Sequence, residues 1–459
     1  MRIRLVQPPL VQPRYRQLTL PVVGAELAAQ GLEVEVCDEN IEELDLSDVD
    51  LVGITCHVYN APRAFEIARL FRRRGIPVIC GGTFPTVAPQ LVAPHVDSVV
   101  VGELEGQAAR IAADARARRL EPVYRASERP SLDRTIKPDF TLLKNERYLR
   151  FNFPLELSRG CRFACRFCTA RALFGAPRTR SLSDIERDLA QHDHGLVEIV
   201  DVNFLSDAEL FRRVAPVLGG ARVPGWFGQT TVADLAADRA LPEILAASRC
   251  RAVFIGLETI ARDGLREVNK SWSRPEVFLE VARRLREAGV MVQAGVIVGL
   301  DSDEPHVFDR MADLLERARV QTVSITYLHY YPGTAPFEEL RAAGRLLTTD
   351  CRDYDGNHLV VRPRRVSVGE LQRELERFLR RVYGARSIAG RAMHAGMPRH
   401  PTQLLHHLAL NLSLRTYYRE LLAPRDDDTS RRYMTRPPGH PLEQLVADGS
   451  TRLLELLWR

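Results

Sequence analysis

The sequence predicts an α/β protein: an N-terminal doubly wound parallel sheet, a second and larger β/α series, and a mainly helical C-terminal region. Three observations carry that prediction. Short continuous apolar runs alternate with helical patterns through residues 1–121. The alternation resumes at residue 155 with longer units, and after Gly333 it stops. Apolar runs separated by helices are the pattern of parallel strands buried on both faces.

At 459 residues the chain exceeds one typical core. The pattern divides it into residues 1–121, a polar connection over 122–153 containing Pro130 and Pro138, a second series over 154–340, and the remainder over 341–459. Hydrophobic residues make up 45% and charged ones 27%, as expected of a soluble globular protein. The formal charge is +5, and of 64 basic residues only Lys137, Lys144 and Lys270 are lysine. That arginine bias reflects codon usage rather than a phosphate-reading surface, so nucleic acid is not an expected partner. Arg72-Arg73-Arg74 and Arg362-Pro363-Arg364-Arg365 read as solvated faces. The first residues run into prolines without an apolar signal core, and no apolar run reaches the ~18 residues of a membrane span. Eight cysteines, most of them isolated, fit a reducing cytoplasm better than a disulfide framework. Cys37, Cys56, Cys80, Cys250 and Cys351 show no ligand spacing and read as small buried hydrophobes, so no second cluster is expected.

In the first series, strands are expected at residues 3–6, 34–37, 48–55, 77–80 and 98–101. Helices over 18–30 and 61–74 stop at Gly31 and Gly75. Sheets of this type bind ligands outside the carboxyl ends of their strands. Those ends are Gln7-Pro8-Pro9, Thr55 with Cys56-His57-Val58-Tyr59, Gly81-Gly82-Thr83, and Gly102-Glu103. A glycine pair lets backbone approach a bulky ligand, although a plain tight turn uses the same pair. No G-x-G-x-x-G follows the first strand, which argues against a dinucleotide. In the second series strands are expected at 155–158, 198–204, 225–231, 252–258, 292–300 and 322–328. Amphipathic helices such as 183–192 and 275–288 lie between them; in the latter Val277, Val281 and Leu285 share one face. Six β/α units are too few to close an eight-stranded barrel. Beyond them, 366–383 reads as a charged helix with Ser367 as its N-cap, 402–422 as an amphipathic helix, and the end as a short helix.

The chemistry concentrates in Arg159-Gly160-Cys161-Arg162-Phe163-Ala164-Cys165-Arg166-Phe167-Cys168. Three cysteines so close in a cytosolic-looking chain form a metal site. A [4Fe-4S] cluster normally takes four protein thiolates, and Cys161, Cys165 and Cys168 supply three. One iron would stay open to bind a group from outside. Zinc is the alternative, but it wants a fourth ligand nearby, and the nearest histidines are His192 and His194.

Cys161-x-x-x-Cys165-x-x-Cys168 just after a strand resembles the signature of the radical S-adenosylmethionine (radical SAM) superfamily, whose partial barrel has six β/α units. The resemblance implies S-adenosylmethionine (SAM) on the open iron, with Phe167 packing the adenine. Phe254-Ile255-Gly256-Leu257-Glu258-Thr259, followed by Leu265 and Lys270, is similar to the family's fourth-strand motif. There Gly256 would let backbone near SAM and Glu258 would make a polar contact; a charged strand end is the plain alternative. Ala294-Gly295-Val296-Ile297-Val298-Gly299-Leu300 is similar to the glycine-spaced fifth strand, with Gly295 and Gly299 beside the adenosyl moiety. Asp201-Val202-Asn203-Phe204 falls where subgroup members carry two adjacent acids before Asn-Phe. Val202 replaces the second acid, and Asn203 is kept as a SAM contact. Arg162 stands where proline is usual, and Tyr331-Pro332-Gly333-Thr334 recurs in cobalamin-dependent members.

The N-terminal region resembles the cobalamin-binding, Rossmann-like domain ahead of many radical SAM enzymes. By that resemblance Thr55, His57, Gly81, Gly82, Thr83, Gly102 and Glu103 contact cobalamin. The Asp-x-His-x-x-Gly signature of the histidine-ligated type is missing. His57 either approaches the corrin or is a loop or core histidine. The barrel match starts at Pro138-Asp139-Phe140-Thr141-Leu142-Leu143-Lys144 and looks closest to the cobalamin-dependent subgroup that includes hopanoid C-methylases.

The implied activity is methyl transfer from SAM, by way of cobalamin, to an unactivated carbon of a small-molecule or lipid substrate. The alternative keeps the cofactors but cyclises, contracts or rearranges the substrate without methyl transfer, since fold does not fix reaction. An sp3 carbon needs no general base, so no catalytic triad is expected. An external flavodoxin- or ferredoxin-like donor is the expected electron source. Tyr327, Tyr330 and Tyr331 line the substrate pocket or simply pack. Leu404, Leu405, Leu408, Leu410, Leu412 and Leu414 offer either a peripheral membrane contact or a buried face.

Overall fold

The computed structural model describes residues 1–11, 15–148, 152–394 and 401–421. They form two compact units. One comprises Met1–His192, Tyr330–Gly344 and Thr348–Asp355; the other comprises Asp193–His329, Arg345–Leu347 and the described residues from Gly356 onward.

The first unit is built on β1 (Arg2–Gln7), β2 (Glu33–Asp38), β3 (Leu51–Thr55), β4 (Val78–Gly81), β5 (Ser98–Val101) and β6 (Val123–Arg125). All are parallel, in the order β2-β1-β3-β4-β5-β6. β1 is paired on both sides, with Leu5 opposite Val36 and Gly53. Its sequence alternates arginine with apolar residues, yet Arg4 is buried. The Arg4 guanidinium survives there because Glu35 and Asp45 meet it at 2.7 and 2.9 Å. The strand order reverses between β1 and β3, the switch point at which such sheets open a ligand crevice.

Ile3, Leu5, Leu51, Ile79, Val100 and Ile111 form the core, and Phe140, Leu143, Tyr148 and Phe153 pack into it. The connection over 122–153 is therefore partly core rather than a plain linker. It also contains β6, which the sequence reading missed. β6 has three residues and only Tyr124 is buried, too short a pattern for periodicity to register. Next come β7 (Asn152–Leu155) and a small antiparallel hairpin of β8 (Ser158–Arg159) and β9 (Arg178–Thr179). The single strand expected at 155–158 is thus two short ones.

The second unit holds β10 (Leu196–Ile199), β11 (Trp226–Thr230), β12 (Cys250–Glu258), β13 (Met291–Val298) and β14 (Thr322–Tyr327). They are parallel, in the order β14-β13-β12-β11-β10. β10 stops at Ile199, well before the expected residue 204. In the Pro275–Glu287 helix Phe278, Val281, Ala282 and Leu285 are buried, so the core face is turned one position from the expected one.

The helices Val368–Val382, Ala385–His394 and Pro401–Leu421 follow, the first opened by a capping box between Ser367 and Glu370. They close the edge strand β14. The Tyr383 hydroxyl accepts from Val323 N at 3.2 Å and donates to Val323 O; the Tyr418 hydroxyl accepts from Ile325 N at 2.9 Å. Asn411 Nδ2 donates to Gln321 O at 3.1 Å. Covering the backbone of an edge strand prevents its pairing with another chain. The leucine face expected on the last of these helices is corrected: His407, Asn411, Ser413 and Tyr418 are buried, while Leu412 is 53% exposed. The Leu404 and Leu405 side chains, and the short terminal helix, lie outside the described residues. Among the described residues no helix is long and apolar enough to cross a membrane.

Candidate functional site

The three cysteines lie in the loop between β8 and β9. Gly160 opens that loop at φ +99°, and a Cβ there would sit 2.4 Å from Ala176 O. Only glycine fits both the conformation and the space. Cys161 N then donates to Gly175 O at 3.3 Å, Cys168 N to Cys165 O at 3.1 Å, and Arg171 Nη1 to Cys161 O at 3.3 Å. Cys161 and Cys165 are half-buried and Cys168 is exposed, none of them in a disulfide. Phe167 is half-buried beside them. Cys37, Cys56, Cys80 and Cys250 are buried and Cys351 half-buried, none of them in a disulfide. Burial alone pushes the Cys250 thiol up.

Arg159, at the end of β8, meets Glu103 at 2.8 Å, Glu105 at 2.7 Å and Glu156 at 2.8 Å. Arg178, its partner across the hairpin, meets Glu103 at 2.8 Å. Burial would raise the Glu105 carboxyl, but the charge and hydrogen bond of Arg159 outweigh it and hold it below its usual range. The carboxylate of Glu103, expected to contact cobalamin, is bonded to two arginines.

At the carboxyl ends of β3 to β5, Gly82 has φ +109°, and a Cβ there would meet Cys56 N and Cys56 O at 2.9 Å. The turn is laced to β3: Cys56 N donates to Gly81 O at 2.8 Å and Phe84 N to Cys56 O at 3.0 Å. The Thr86 hydroxyl donates to Gly82 O at 2.7 Å and accepts from Gly102 N at 3.0 Å, so one side chain joins two of the expected ligand turns. Asn60 does the same for the β1 and β3 ends, accepting from His57 N at 2.8 Å and donating to Pro9 O at 3.2 Å. The sequence reading missed both; an asparagine just before Ala61-Pro62 is at least a helix-start signal. Thr55 and Thr83 flank the glycine turn, both half-buried. Around Gly102, φ +88°, a Cβ would meet nothing within 4 Å.

His57 stacks on Tyr59, ring centroids 5.5 Å apart and 5° from parallel, and burial pushes its pKa down to about 4. It is neutral at pH 7. Tyr331 belongs to the same unit, its hydroxyl pushed up to about 12 by burial and then by Cys168. Tyr330 is also in this unit and Tyr327 in the other, both buried.

In the second unit Asn203 is wholly buried in the turn that ends β10. Its Oδ1 accepts from Thr230 Oγ1 at 2.8 Å and Leu205 N at 3.3 Å, and its Nδ2 donates to Asp234 at 2.8 Å. The turn needs those bonds, which is why the strand stops early. A Cβ on Gly256 would meet Glu258 Oε1 at 2.2 Å and Lys270 Nζ at 2.8 Å. Lys270 Nζ bonds Glu258 Oε1 at 2.6 Å and Gly256 O at 2.9 Å. On Gly295 a Cβ would meet the Phe254 ring at 2.6 Å. At both positions an added Cβ would collide with protein side chains. Gly299 has φ +88°; its N–H and that of Leu300 donate to the buried Asp303 carboxylate at 2.8 and 3.0 Å.

Residues 155–315 match the family model of the Radical SAM superfamily, and residues 13–112 match that of the B12 binding domain. The chain carries a radical SAM domain and a B12 binding domain. The bacteriochlorophyllide d C-12(1)-methyltransferase of Chlorobaculum tepidum is 26% identical to it over 382 residues, covering 81% of this chain and 83% of that enzyme. The hopanoid C-2 methylase of Rhodopseudomonas palustris is 26% identical over 359 residues, covering 74% and 67%. The structure of the radical SAM methyltransferase TsrM from Kitasatospora setae, with cobalamin and a [4Fe-4S] cluster bound, shares the fold: TM-score 0.62, 20% identity, 76% of each chain.

The cofactors of this radical SAM chain are a [4Fe-4S] cluster, SAM and cobalamin. The donor set fits a cluster. Among the described residues no group of three or more His, Cys, Asp or Glu side chains is gathered around one point. A cubane needs only one thiolate per iron, and three spaced thiols in one loop provide that. At the end of β5 there is open space beside Gly102.

Proposed function

We propose that this chain is a cobalamin-dependent radical SAM C-methyltransferase acting on an unactivated carbon of a small molecule or lipid. The observation that carries it is that one compact unit holds both the three-cysteine loop and the ligand end of a parallel sheet matching the B12 binding domain. In this reading Cys161, Cys165 and Cys168 hold three irons, and the fourth is left for SAM. When bound, cluster and SAM supply hydrogen abstraction and cobalamin supplies methyl transfer.

The chain's own residues bind and exclude water. Gly81, Gly82 and Gly102, held in register by Thr86, form the cobalamin-facing edge with Thr55 and Thr83. His57, neutral and stacked on Tyr59, closes the end of β3 and brings no charge to it. Phe167 packs adenine. In the second unit Lys270 occupies one oxygen of Glu258 and leaves the other to accept from SAM. Asp303 fixes the backbone at Gly299, Phe254 fills the space over Gly295, and Asn203 sets the turn after β10. An external flavodoxin- or ferredoxin-like donor supplies the electron in a reducing cytoplasm. Peripheral membrane contact through the Pro401–Leu421 helix would suit a lipid substrate, and liposome flotation tests it.

Anaerobic incubation of reconstituted protein with methyl-labelled SAM, reductant and a small-molecule extract of the native host should give labelled products. Cleavage of SAM with unlabelled, rearranged products would replace methyl transfer by the rearrangement reading.

A further inference from the structure

The network around Arg159 is more heavily charged than a hairpin needs. Two guanidinium groups, Arg159 and Arg178, face three carboxylates, Glu103, Glu105 and Glu156. The Arg159, Glu103, Glu105 and Glu156 side chains are only 9%, 6%, 14% and 13% exposed. Desolvating that many charges is costly, and a well-packed apolar cluster would hold the hairpin as firmly. The network also has an address. Arg159 is two residues before Cys161, with Gly160 locked between them, and Glu103 follows Gly102 directly. A bonded path therefore runs within one unit from the Gly82 turn through Thr86 and Gly102 to Glu103, Arg159 and the cysteine loop.

We propose that Arg159 is a positioning residue that fixes the first cysteine ligand against the Gly102 turn and, through its charge, sets the reduction potential of the cluster. This rests on the cluster reading of the three cysteines. In a poorly solvated region a fixed positive charge stabilises the more negative, reduced state of a neighbouring centre, and fixed carboxylates oppose it. Among the described residues Arg159 is the one cation bonded to all three carboxylates, so it counters the field of a network that otherwise disfavours reduction.

The test is potentiometric titration of the reconstituted full-length protein, followed by electron paramagnetic resonance of the reduced cluster. Arg159→Met should move the midpoint to more negative potential, and Glu105→Gln should move it to more positive potential. Arg159→Lys, which keeps the charge but not the three-way fork, should stay near the unsubstituted protein. A merely structural clamp makes a different prediction: all three variants lose iron, or shift in one direction. Shifts of the same sign in Arg159→Met and Glu105→Gln, or none in either with iron content intact, would overturn the proposal. If Arg159→Met does not fold, the positive shift of Glu105→Gln against an unmoved Arg159→Lys decides it. Failure of the unsubstituted protein to take up iron would sink the cluster reading itself, and iron analysis distinguishes that case at the outset.

Discussion

Lys270 is nearly enclosed, its ammonium held by Glu258 at 2.6 Å with the two side chains 6% and 11% exposed. Removing one partner of a buried pair leaves an uncompensated charge, which costs about 3–5 kcal/mol. Lys270→Met should therefore destabilise the cluster-free protein by roughly 3 kcal/mol in urea titrations. Glu258→Gln should cost less, because an amide oxygen can still accept from the ammonium; no loss in either variant would argue against a buried charge penalty. Glu26 provides the pH-dependent case. Burial lifts its carboxyl from 4.5 to about 7, Glu105 adds to the rise and Arg159 opposes it. The folded chain thus binds this proton more tightly than the unfolded one. That stabilisation is complete below pH 4.5 and is lost as pH rises toward 7. Glu26→Gln should leave Tm unchanged near pH 4.5 and raise it near pH 8. A Tm difference that is the same at both pH values would remove Glu26 as the cause.

Turns and edges carry the next set of consequences. Gly82 and Gly102 both have positive φ, but a Cβ at Gly82 strikes backbone and one at Gly102 enters open space. Gly102→Ala should cost only the left-handed penalty, about 1–2 kcal/mol. Gly82→Ala should cost more and abolish cobalamin retention, read from the absorbance of bound cobalamin after gel filtration. At the other sheet, Tyr383→Phe leaves backbone groups of β14 unpaired, at about 1–3 kcal/mol. The melting curve measures that loss, and light scattering should show association through the bared edge. Elements such as β4 and β5 were legible because each is built on a continuous apolar run. The end of β10 was not: Asn203 stops the strand with bonds to Thr230 and Asp234, partners distant in sequence. Nor was the face of the last described helix, where Asn411 goes inward to bond Arg391 and Gln321 O just before β14, and His407 to bond Ile388 O. The cysteine loop was legible as three thiols in one loop, since they lie within eight residues of one another. Arg159 was not, because Glu103 and Glu105 come from a turn more than fifty residues earlier in the chain.

At the scale of the whole molecule, the two cofactor sites of the first unit have separate structural supports. The sheet from β1 to β6 is complete by Arg125, and its ligand turns are tied to one another by Thr86 and Asn60. The cysteines hang in a later loop whose backbone is held by Gly175 and Arg171 rather than by the thiols. Removing the thiols therefore deletes ligands without deleting the scaffold of either site. Cys161→Ala, Cys165→Ala and Cys168→Ala combined should abolish iron binding and all SAM cleavage, while cobalamin binds with unchanged affinity. Iron analysis, 5′-deoxyadenosine assay and cobalamin titration read the three quantities separately. If cobalamin affinity fell together with iron, the sheet end would not be an independent site. The Arg159 network would then be holding the turns only with the cluster in place.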